Sequence, residues 1–89
     1  MQVVIKVSEE AARSLRGQER LPAGERLRAL ANRLGLHLEP MHPGTFDRSM
    51  QQYFTLEAGD QAAAMRAVKV LQQEPFVEAA YVKPADEAP

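Results

Sequence analysis

The sequence predicts an α+β domain in which a four-stranded antiparallel sheet carries two helices on one face. Three observations lead there. The stretches VVIKV, LHLEP, QYFTLE and VEAAYV alternate side chains at the two-residue period of strands. Two longer stretches repeat apolar residues at helical spacing. Their order along the chain, β-α-β-β-α-β, is that of the split βαβ, ferredoxin-like arrangement.

The first strand spans residues 2 to 7, where β-branched Val3, Ile5 and Val7 alternate with Gln2, Val4 and Lys6. Ser8 is suited to cap a short, weak helical turn over EEAARSL that Gly17 ends. A full helix is expected over residues 23 to 34, with Leu27, Leu30, Ala31 and Leu34 on one stripe, Pro22 before it and Gly35 closing it. In LHLEP, Leu36 and Leu38 share one face, His37 and Glu39 the other, and Pro40 stops the strand. A loop containing Pro43-Gly44 precedes the third strand, in which Phe54 and Leu56 oppose Tyr53 and Thr55. Asp60 caps the second helix, whose stripe of Ala64, Ala67, Val68 and Leu71 ends before Pro75. VEAAYV is the fourth strand.

At 89 residues, 45% hydrophobic and 26% charged, the chain has room for one core. One domain is expected over residues 1–84, followed by a short flexible tail over residues 85–89. With no cysteine, neither disulfides nor thiolate chemistry contribute. The net charge is -1, with 11 basic and 12 acidic residues interspersed, so no long-range positive field exists to attract a phosphate backbone. Nucleic acid is not an expected partner. MQVVIKVSEE lacks a basic stretch followed by an apolar run of about 7 to 15 residues, and no run approaches the roughly 20 residues of a membrane helix. Neither a signal peptide nor a membrane partner is expected; a native start at Met1 implies the cytoplasm, and excision from a precursor implies secretion.

Helices on one face leave the other face of the sheet to meet water or a partner. If Val3, Ile5, Phe54 and Leu56 point to the helices, then Val4, Tyr53 and Thr55 point away, and the fourth strand adds either Ala79 and Tyr81 or Ala80 and Val82. Two tyrosines among small residues suit a flat contact with another protein. Chemistry-bearing motifs are sparse by comparison. Ser8, Ser14 and Ser49 lack a neighbouring His and Asp in a nucleophile motif, and there is no glycine-rich phosphate cradle. His37 and His42, joined by Glu39 or Asp47, make a weak metal-site candidate, because their spacing crosses a strand end and a Pro-Gly loop. The expectation is therefore a non-enzyme with no cofactor and no metal.

Three segments carry a family resemblance: LGLHLEPMHPG (34–44), QQYFTLE (51–57) and EPFVEAAYVKP (74–84). In this order they resemble the N-terminal prodomain of subtilisin-like serine proteases, over roughly residues 26 to 84. The resemblance implies an inhibitor and folding chaperone whose partner is a subtilisin-like serine protease, in cis or in trans. It places Val4, Tyr53, Thr55, Ala79 and Tyr81 on the protease-packing face. It sends an inhibitory tail of Lys83, Pro84, Ala85, Asp86, Glu87, Ala88 and Pro89 into the active-site cleft, by strand addition to the substrate groove. The chain departs from the family's pattern at the end of strand four, where Lys83 and Pro84 stand in place of helix-capping acids and Asp86 and Glu87 follow slightly later. The competing expectation is a non-inhibitory ferredoxin-like module that uses the bare face for a small ligand or for self-association.

Overall fold

The structure, a computed structural model, describes residues 1–83. The chain runs β1 (Gln2–Val7), α1 (Glu9–Leu15), α2 (Pro22–Arg33), β2 (Leu38–Pro40), a 3-10 turn (Met50–Gln52), β3 (Tyr53–Glu57), α3 (Gln61–Gln72) and β4 (Val77–Lys83). The sheet order is β2-β3-β1-β4, and every neighbouring pair is antiparallel. Each helical crossover thus skips over one strand, which makes the fold an α+β, ferredoxin-like split βαβ.

Local chemistry sets the boundaries. The Ser8 hydroxyl accepts the Ala11 amide at α1, and an Asp60 carboxylate oxygen accepts the Ala63 amide at α3. Both α1 and α2 end in a paired cap around a left-handed glycine. At α2, Gly35 (φ 73°) donates to the Asn32 carbonyl and Leu36 to the Ala31 carbonyl. At α1, Gly17 (φ 80°) donates to Ser14 and Gln18 to Arg13. The α2 cap explains why β2 is shorter than LHLEP: the Leu36 amide is spent on the helix end, so the ladder begins at Leu38.

The expected short turn over EEAARSL is a full participant in the helix layer, giving three helices where two were expected. Ala11, Ala12 and Leu15 of α1 are buried in one cluster with Leu27, Leu30 and Ala31 of α2 and Ala64, Ala67 and Leu71 of α3. The same cluster takes Val3, Ile5, Val7, Phe54, Leu56 and Ala80 from one side of the sheet, so all three helices cover that side. A shortest dimension of 18 Å agrees with one sheet and one helix layer. Among the described residues, no buried side-chain polar atom lacks a partner.

Helices α1 and α2 meet most closely at Ser14 and Gly24. A Cβ built on Gly24 falls 2.2 Å from the Ser14 Cβ, so no larger residue fits without moving a helix. The Ser14 hydroxyl closes the connection by donating to the Leu21 carbonyl and accepting the Leu21 amide. Across the layer, Arg26 of α2 donates to Glu74 just beyond α3, and that hydrogen bond, with the carboxylate charge, holds the guanidinium pKa above its ordinary value.

A candidate protein-docking face on the open side of the sheet

Register decides which side chains share the uncovered side. Val4 of β1 lies between Thr55 of β3 and Tyr81 of β4, and Lys6 lies between Tyr53 and Ala79. Directly paired residues of antiparallel strands point to the same face. Val3 and Ile5 belong to the helix-side core, so Val4, Tyr53, Thr55, Ala79 and Tyr81 all lie on the open side. Glu39 of β2 joins them as the partner of Thr55.

The parity of β4, ambiguous in the sequence, turns on an irregularity opposite β1. Val7 pairs with Val77 and Lys6 with Ala79, which leaves Glu78 as the extra residue of a β-bulge. Without it, Val77 and Ala79 would share a face. With it, Val77, Ala80 and Val82 pack toward the helices while Ala79 and Tyr81 face outward. Glu78 then reaches Lys6 at 3.7 Å, and the Lys6 ammonium sits 5.9 Å from the centroid of the Tyr53 ring.

The five residues do not contribute equally to an accessible surface. Tyr81 is 50% exposed and Ala79 is exposed, whereas Tyr53 and Thr55 are half-buried. Val4 is fully buried although it belongs to the open side, so it forms the floor of the face and its neighbours form the contact surface. Charged and polar side chains surround this centre: Gln2 lies between Glu57 and Lys83 in the next row, and Glu39 stands at the β2 side. A small apolar and aromatic centre inside a polar rim is the anatomy of a modest protein interface. The sequence singled out Glu39 only as a metal-ligand candidate and Lys83 only as the start of the tail; the strand parity of Lys6 and Glu39 already assigned both to this side.

Lys83 ends β4 on the open side, opposite Gln2. The rest of the expected inhibitory tail, Pro84, Ala85, Asp86, Glu87, Ala88 and Pro89, lies outside the described residues. Among the described residues β4 has a strand neighbour on one side only; the Gln72 side-chain amide donates to its Ala80 carbonyl, and the rest of its outer edge has no ladder partner. His37 approaches Glu39 at 3.5 Å, while His42 meets the Tyr53 ring edge-on with centroids 6.5 Å apart. Among the described residues, no three His, Asp or Glu side chains gather as a metal site.

Compared with protein-family models, with curated proteins and with solved structures, the chain has no match.

Proposed function

We propose that this domain is a prodomain-like inhibitor and folding chaperone of a subtilisin-like serine protease. The supporting observation is the assembly of Tyr53, Thr55, Ala79 and Tyr81 over the Val4 floor, on a sheet side that the three helices leave bare. In this reading the open face lies against the protease surface, and the segment beyond Lys83 continues from an edge strand into the substrate groove by backbone pairing. The residues supply no chemistry of their own. Their effect is thermodynamic: a domain that binds the native protease and not its unfolded chain stabilises the native state by mass action. If the same contacts form in the folding transition state, refolding accelerates as well. The ordered sequence resemblance and the split βαβ fold agree with this role.

The experiment is refolding of a denatured subtilisin-like protease with and without the purified domain. The yield of natively folded protease, assayed after the domain has been separated from it, is expected to rise with domain concentration and to saturate; equal yield at every concentration, across several such proteases, contradicts the proposal.

One observation favours a second reading, a self-associating module. The outer edge of β4 borders a mostly apolar groove of about 330 Å³ lined by Met65, Val68 and Val82 and flanked by Arg66 and Lys69, with Met65 56% exposed. Strand pairing through that edge would continue the sheet into a second copy. A concentration-dependent dimer in sedimentation, lost when Met65 is replaced by lysine, favours this reading over the first.

A further inference from the structure

On the helix-covered side, α1 and the 3-10 turn flank a solvent-open pocket of about 230 Å³ whose walls include Arg13, Arg16 and Arg48, with one acid, Glu9. Three guanidiniums stand against Glu9 in the lining and Glu19 paired with Arg13 beside it, which leaves a surplus of one positive charge in a chain whose net charge is -1. Two of these guanidiniums are already oriented. Arg16 donates through Nε to the Gln51 carbonyl and through one terminal nitrogen to the His42 carbonyl, and it lies 5.7 Å from the Phe54 ring centroid. Arg13 donates through Nε to Glu19, and among the described residues both its terminal nitrogens remain for another acceptor. Arg48 and the Gln18 amide complete the wall.

We infer that this pocket is a binding site for a small multivalent oxyanion, recognised through charge-assisted hydrogen bonds from Arg13, Arg16 and Arg48. A planar guanidinium presents paired donors matched to carboxylate or phosphate oxygens, and fixing Arg16 beforehand removes part of the ordering cost of binding. The pocket is smaller than the roughly 300 to 1,000 Å³ of those for drug-sized ligands, which selects a compact ion such as phosphate or a short polycarboxylate. Arg16 also anchors the loop between β2 and β3, so an occupant would bridge that loop to α1. The site lies on the opposite side of the sheet from the docking face, and its occupancy does not depend on the protease-inhibitor reading.

The test titrates the isotope-labelled full chain with inorganic phosphate and, separately, with citrate, at constant ionic strength, following amide resonances. Saturable shifts confined to residues 9–18 and 48–52 with either probe support the site, and the probe that binds identifies phosphate or carboxylate as the preferred group. Arg48→Ala, on an exposed loop position, is expected to weaken binding about tenfold or more. Arg66→Ala on α3 makes the same charge change away from the pocket and is expected to leave binding unchanged. Absence of saturable shifts with both probes overturns the inference, as does equal weakening by the two variants, which would mean general charge attraction.

Discussion

Replacing Gly24 by alanine tests the packing of the helix layer at its tightest point. The new methyl carbon would lie 2.1 Å from the Ser14 hydroxyl oxygen and 2.2 Å from its Cβ. Carbon atoms rest comfortably at about 3.5 to 4.0 Å, so the helices must separate by roughly 1.5 Å or distort. Ser14 offers little relief, because its Cβ is fixed to the α1 backbone and its hydroxyl is engaged with Leu21. Overpacking of this kind costs about 1 to 3 kcal/mol, and the size of this overlap puts it at the upper end. Alanine's better helix propensity returns up to about 1 kcal/mol. The expected net loss is about 2 kcal/mol, which for a domain of this size lowers the Tm by roughly 10 °C. Urea denaturation monitored by circular dichroism measures it. In a Ser14→Gly background, where the obstructing Cβ is gone and the Leu15 amide nitrogen at 3.1 Å is the tight contact left, the same Gly24→Ala change is expected to cost much less, giving a strong coupling in the double-mutant cycle. Unchanged or increased stability of the single variant would refute the close approach of α1 and α2.

Asp60→Ala removes the α3 cap and is expected to cost about 1 kcal/mol in the same denaturation assay, with Asp60→Asn largely retaining it. Tyr81→Ala is expected to leave the circular dichroism spectrum unchanged while weakening protease inhibition by about 2 kcal/mol, roughly 30-fold in the inhibition constant, as loss of a central aromatic contact does. Deleting residues 84–89 is expected to preserve thermal stability and reduce inhibition; undiminished inhibition would assign all affinity to the sheet face.

Much of the fold was legible because its signals are local. The alternation in β1 and β3, the Asp60 cap and the apolar stripes of α2 and α3 each specify an element without knowledge of the rest. Helix α1 was underestimated for the opposite reason. Seven residues make a poor isolated helix, and this one owes its place to burial of Ala11, Ala12 and Leu15 against elements distant in sequence. The shortening of β2 depends on which partner the Leu36 amide takes, and the helix cap takes it. The make-up of the open face was legible only in part. Parity assigned Val4, Tyr53 and Thr55 together, but the β4 contribution depended on the bulge at Glu78, an irregularity with no glycine or proline to signal it. Fully buried Val4 on the open side is a packing outcome that alternation cannot express. The arginine pocket is not legible in the sequence, because Arg48 is distant along the chain from Arg13 and Arg16 and meets them through the loop that Arg16 anchors.

The most direct test of the central claim is the inhibition of native subtilisin-like proteases, measured as the loss of chromogenic peptide hydrolysis on titration with the full chain. Saturable inhibition at micromolar concentration or below is expected, competitive with the substrate if the proposed entry of the terminal segment into the substrate groove holds. Full protease activity throughout the micromolar range, across a panel of such enzymes and with a folded domain, would contradict it.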